Sequence, residues 1–141
     1  MDTTRNRCVN LSIKKLDRLT TSHYNKYLKP LGIRITQFSV LSFIHEKQMA
    51  ASTDIEELLN LDQTTVSRAI KNLKCNDLVS TNDKNSNKIT YYKLSAKGEK
   101  IYRKAFSLWV EAQQALTDKI GMDTKEDILK VADKTIRNLA E

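Results

Sequence analysis

Glycine and proline are scarce in this sequence, with three glycines and one proline in 141 residues. Few breaks are available for the turn-dense chain of a β-sandwich, and the three glycines stand too far apart for a glycine-rich phosphate loop. No apolar run approaches the roughly 20 residues that a membrane-spanning helix needs. The first stretch, Met1-Asp2-Thr3-Thr4-Arg5-Asn6-Arg7, lacks the apolar segment of a secretory signal. Two cysteines, Cys8 and Cys75, are too few for a disulfide framework, so the reducing cytoplasm is the expected location. Histidine is limited to His23 and His45, and no ligand pair has metal-like spacing. No nucleophile–base pair is placed by a motif. The expectation is therefore a non-enzyme without metal or cofactor.

What is present is a mostly helical pattern and a localised positive charge. Residues 1–62 carry 9 basic and 7 acidic side chains. Residues 63–104 carry 10 and 3, and residues 105–141 carry 5 and 7. The middle segment alone thus accounts for the net +7 of the chain. A basic patch focused in this way is the electrostatic footprint of a nucleic-acid surface, whereas charge for solubility alone would be spread more evenly.

The centre of that segment is a helix beginning after Asp62, whose carboxylate suits an N-cap. Val66, Ala69, Ile70 and Leu73 recur at helical spacing and make one apolar face. Gln63 opens the helix. Thr64, Thr65, Ser67, Arg68, Lys71 and Asn72 fan across the other side, with Lys74 following, and no carboxylate stands among them. An ordinary amphipathic helix is the competing reading, but a solvated face usually mixes both signs of charge. A face that is only polar and basic suits phosphates and base edges.

The flanking chain gives this helix a context. Val9 to Leu28 has an apolar stripe stepping by three or four, ended by Pro30 and Gly32. A second helix, Thr36 to Glu46, is apolar on more than one side and should be centrally buried. Lys47 to Ser52 reads as a connection. Thr53 and Glu56 match a capping box for a short helix to Leu59, and Asn60 suits a left-handed turn. Two short helices around a tight turn make a helix-turn-helix. Leu78 to Thr81 and Ile89 to Leu94 are β-prone and flank a polar run, which reads as a hairpin wing carrying Lys84 and Lys88. Ser95 then caps a long helix, Ala96 to Ile120, stopped by Gly121. A last helix runs from about Lys125 to Leu139. Its apolar stripe and those of the long helix and the first helix have no further domain to cover them, so a second copy of the chain is their simplest partner.

The strings Pro30-Leu31-Gly32-Ile33 and Thr36-Gln37-Phe38-Ser39-Val40-Leu41 resemble the MarR family of winged-helix transcription regulators. So do Leu61 to Leu73 and Leu94-Ser95-Ala96-Lys97-Gly98, in the family's order and over roughly residues 8–120. The resemblance implies a fold that is mainly α with a small β-hairpin wing. It implies a helical dimerisation region, 1–34 and 96–141, around a winged helix-turn-helix, 35–95. It further implies a cytoplasmic homodimer that binds a pseudo-palindrome in double-stranded DNA, usually as a repressor. Release by a small aromatic ligand or by cysteine oxidation is common in such regulators. Two departures stand out. The family's Asp-x-Arg pair at the wing tip is replaced by Ser86 and Lys88, and lysine lacks the planar fork that fits a narrow minor groove. Asp77 occupies a position that is generally glycine, and aspartate tolerates a left-handed turn.

Three further assignments follow. Tyr24, Tyr27, Phe38, Phe43 and Trp109 are candidates to line a ligand pocket, against the plainer reading of aromatic core. Cys8, near Arg5 and Arg7, is a candidate redox thiol, against the plainer reading of a small apolar residue in the dimer interface. Cys75 ends the recognition helix and reads as an exposed thiol. The alternative to a DNA-binding regulator is a winged-helix module that binds protein without specific DNA contact.

Overall fold

The computed structural model describes residues 7–82 and 89–140. Helix α1 (Val9–Leu28) continues into a 3-10 turn (Lys29–Leu31), where Pro30 fits the first turn and Gly32 reverses the chain at φ 69°. Helix α2 (Ile35–Lys47) starts against α1, because Asn25 Oδ1 accepts from the Ile35 amide at 2.8 Å. The Gln37 side chain accepts from the Arg34 amide, so a second free donor of the helix start is satisfied. Phe38, Val40, Leu41, Phe43 and Ile44 of α2 are all buried, as its broad apolar surface requires.

The segment read as a plain connection contains a two-residue strand, β1 (Ala50–Ala51). Helix α3 (Ser52–Leu59) follows at once. Its start differs from the expected capping box. The cap position is Ala51, whose amide donates to the Asp54 carboxylate at 3.1 Å, so the helix begins before Thr53. Asn60 adopts the left-handed conformation at φ 50°, and Asp62 caps helix α4 (Gln63–Cys75) by accepting from the Thr65 amide at 2.7 Å. Asp77, at φ 58°, takes the left-handed turn before strand β2 (Val79–Asn82). Strand β3 (Tyr91–Leu94) pairs antiparallel with β2, Val79 opposite Leu94, and on its other edge with β1, Ala50 opposite Tyr92. The sheet order is β1-β3-β2.

Ser95 locks the sheet to helix α5 (Ala96–Ile120). Its hydroxyl accepts from the Gly98 amide at 2.9 Å and donates to the Asp77 carbonyl at 2.5 Å. Gly98 is obligatory there, since a Cβ would lie 1.9 Å from the Leu78 carbonyl oxygen. His45 and Glu99, 2.9 Å apart, join α2 to α5, and the His45 ring stacks on Tyr102. Helix α6 (Met122–Leu139) begins three residues earlier than its apolar stripe suggested, directly after Gly121.

The core gathers Leu28, Leu41, Ile44, Ile55, Val66 and Leu73, each fully buried, at the junction of α1 to α4. Burying a leucine of this kind contributes about 1.5–3 kcal/mol. The apolar residues of α1 and α6 differ. Val9, Leu11, Ile13, Leu16 and Leu19 on α1, and Leu129, Val131, Ile136 and Leu139 on α6, are exposed in the single chain. No helix among the described residues is long and apolar enough to cross a membrane.

Candidate nucleic-acid interface

Helix α4 owes its orientation to its apolar face. Val66, Ala69, Ile70 and Leu73 are buried against α2 and α3, which turns the opposite face outward. Gln63, Thr64, Ser67, Arg68, Lys71, Asn72 and Lys74 are all exposed. Thr65 is only half-exposed and serves the cap. Its hydroxyl and amide hold the Asp62 carboxyl below the usual carboxylate range, and the nearby Arg68 charge adds to this. Asp62 is therefore ionised at neutral pH and favourably placed at the positive end of the helix dipole.

Arg68 makes no ion pair among the described residues, so its guanidinium remains available to a ligand. Asn72 is less free, since the Asn76 side chain donates to its carbonyl oxygen and to Oδ1. Lys71 and Lys74 border a cleft of about 460 Å3 between α4 and the root of the sheet. Ser67 and Cys75 line it from the same helix, and Ser52 and Tyr92 from across it. Nothing in the local sequence around Ser52 or Tyr92 marks them as interface residues. The pairing of β1 with β3 brings them there, and neither strand ordering nor register is visible in local pattern. Lys84 and Lys88, the expected wing cations, lie outside the described residues.

The remaining candidates are dispersed. Phe38 stacks between Tyr102 and Trp109, with ring centroids 5.9 Å from each. Phe43 is buried in the core, and Tyr27 lies against the His23 ring. Tyr24 hydrogen-bonds to Gln113 of α5, and burial raises the pKa of its phenol. Of the five aromatic residues, Tyr24 alone borders a cleft of about 300 Å3 between α1, α2 and the α3–α4 turn. Cys8 and Cys75 are both exposed free thiols. Among the described residues, no group of three His, Cys, Asp or Glu is placed to hold a metal ion.

A helix-turn-helix whose second helix shows a basic outer face, followed by a sheet with a two-stranded wing, is a winged-helix DNA-binding architecture. Residues 36–98 match the family model described as "Winged helix DNA-binding domain". No curated protein matches the chain. Among solved structures, a cysteine-to-serine mutant of MarR from E. coli, in complex with operator DNA, matches with a TM-score of 0.79 at 22% identity. That match covers 91% of this chain and 93% of the other. The M. tuberculosis transcriptional regulator MosR, also in complex with DNA, matches with a TM-score of 0.78 at 22% identity, covering 94% and 99%. The organohalide-sensing transcriptional regulator RdhR, in its ligand-free form, gives a TM-score of 0.84 at 12% identity, covering 99% and 86%. Residues 36–98 thus have a winged helix similar to that of the matching family. From α1 to α6 the chain has the fold of the MarR regulators, as the sequence resemblance implied.

Proposed function

We propose that this chain is a MarR-type transcription regulator that acts in the cytoplasm as a homodimer and represses by occupying a pseudo-palindromic operator. The observation that carries the reading is the outer face of α4, which is exposed, polar and basic, with no carboxylate, on a helix whose inner face is fully anchored. In this reading Gln63, Thr64, Ser67, Arg68 and Asn72 face the major groove. Arg68 is the residue for bidentate guanine contact, and Lys71, Lys74, Lys84 and Lys88 meet phosphates. The apolar residues left open on α1 and α6, with Phe106 and Val110 of α5, form the dimer interface. Two lobes then address half-sites about one helical turn apart, roughly 10 bp. Release by a small ligand or by thiol oxidation completes the cycle.

The test is fluorescence anisotropy with duplex DNA across a salt series. DNA binding gives an affinity that falls steeply as salt rises, through counterion release, and Lys88→Ala flattens that slope by about one. Arg68→Ala weakens binding and relaxes sequence preference. A shallow salt dependence, with both variants binding as the parent does, points instead to a protein-binding winged helix and overturns the reading.

A further inference from the structure

The second cleft, about 300 Å3, opens where α1 meets the first turn of α2 and the α3–α4 turn. That volume is at the lower end for a small-molecule site. Its chemistry sets it apart from the rest of this basic protein. Among the described residues, Asp17 is the one charged side chain lining it, and no lysine, arginine or histidine borders it. Among the described residues Asp17 has no cationic partner. Its carboxylate accepts only from the Thr21 hydroxyl at 3.1 Å.

The hydroxyls that α1 contributes are already committed as donors, whereas Thr36 and Ser39 of α2, which also line the cleft, make no side-chain hydrogen bond among the described residues and can donate or accept. Thr21 donates to Asp17, and Thr20 donates to the Leu16 carbonyl at 2.9 Å. The Tyr24 phenol donates to Gln113. A hydroxyl has one proton to give and two lone pairs to offer, so the α1 wall presents acceptors beside a negative charge. Ile35 and Leu61 supply an apolar side to the cleft.

We propose that this cleft binds a small primary amine with an apolar body, its ammonium group on Asp17 and the Thr20 and Thr21 oxygens. An ammonium carries three donors and the matching charge. An aromatic acid in the same place would set its carboxylate against the like charge of Asp17, whatever the Thr36 and Ser39 hydroxyls donated to it. The site is also placed to act at a distance. Leu59 and Leu61 line the cleft and flank Asn60, and Leu61 runs directly into Asp62, the cap of α4. An occupant therefore bears on the turn that aims the recognition helix while its charged end is held by α1. The regulatory consequence, though not the binding itself, rests on the DNA-binding reading above.

Three near-isosteric probes test the site by calorimetry at neutral pH without DNA: phenethylamine, phenylacetate and 2-phenylethanol. The amine binds saturably and at least about tenfold tighter than the acid, the scale of one charge-assisted hydrogen bond. Asp17→Asn, an exposed substitution, lowers amine affinity by about the same factor and leaves the alcohol unchanged. Equal binding of acid and amine, no binding of the amine, or indifference of amine affinity to Asp17→Asn each overturns the proposal. Adding the amine to the DNA complex then reads the coupling: release from the parent but not from Asp17→Asn supports it, and no release removes the regulatory role. Failure of the ligand-free protein to bind DNA sinks the regulator reading alone, since the calorimetry is independent of it.

Discussion

Helices α4 and α6 carry apolar residues at the same helical spacing, yet they end in opposite surroundings. On α4 Val66 and Leu73 are completely buried, whereas on α6 Leu139 keeps 79% of its surface exposed and Val131 63%. The difference lies in the neighbours and not in the helices. Helix α4 is enclosed by α2 and α3 of its own chain, while α6 touches only α5 among the principal contacts. An amphipathic stripe states that a face will leave water. It does not state which surface will meet it, and in this molecule one stripe is answered within the chain while the other stays open in the single chain.

Five substitutions sharpen or break that contrast. The largest effect belongs to the self-contained lobe. Leu73→Ala removes a fully buried side chain and is expected to lower stability by about 2–5 kcal/mol, read as the midpoint shift in urea unfolding. Gly98→Ala comes next, at about 1–3 kcal/mol or slightly above, because its methyl group meets the Leu78 backbone at the α5 start. A variant that unfolds like the parent would show that the sheet and α5 can part freely.

For the open stripe the expected readout is association, not folding. Ile136→Asp places a carboxylate on a half-exposed position of α6. If the parent is the proposed dimer, sedimentation should show this variant as a monomer with helix content close to the parent's, and DNA affinity should fall as the paired lobes separate. If the variant stays dimeric, α6 is not the interface. Arg68→Ala should cost about 1–3 kcal/mol of discrimination between base pairs, measured by competition among duplexes, with no change in urea midpoint.

The smallest effect is the acid limb of stability. The Thr65 hydroxyl and amide lower the Asp62 pKa, so its capping contribution is complete above the ordinary carboxylate value and is lost as pH falls through the lowered one. Asp62→Asn should remove this part of the pH dependence of the melting temperature. Parallel acid limbs in the two proteins would show that the cap carries no linked proton.

Features carried by single residues in local contact are legible in the sequence. Asp62 and Ser95 cap their helices, and Asn60 and Asp77 take left-handed turns, because each effect is set within a few residues. The α3 start is not legible in the sequence because its cap is an alanine, which has no side-chain acceptor, and Asp54 accepts from the cap amide from inside the helix. Strand β1 has no local signal, because Ala50 and Ala51 have no strand preference of their own and are held by β3, some 40 residues on. The two clefts were hidden for the same reason. Ser52 and Tyr92, or Asp17 and Leu61, become neighbours only through long-range pairing, so the aromatic residues chosen from the sequence led to a stacked core and, through Tyr24 alone, to a cleft.

Helix α5 is 25 residues long and runs without interruption from the sheet to Gly121, a rigid strut of about 37 Å. Such a rod fixes phase as well as distance. One extra alanine at its midpoint would swing everything beyond it by about 100° while lengthening it by about 1.5 Å. Each lobe would still fold and still attract polyanions, but in the proposed pair the two reading heads would no longer meet the same side of the duplex.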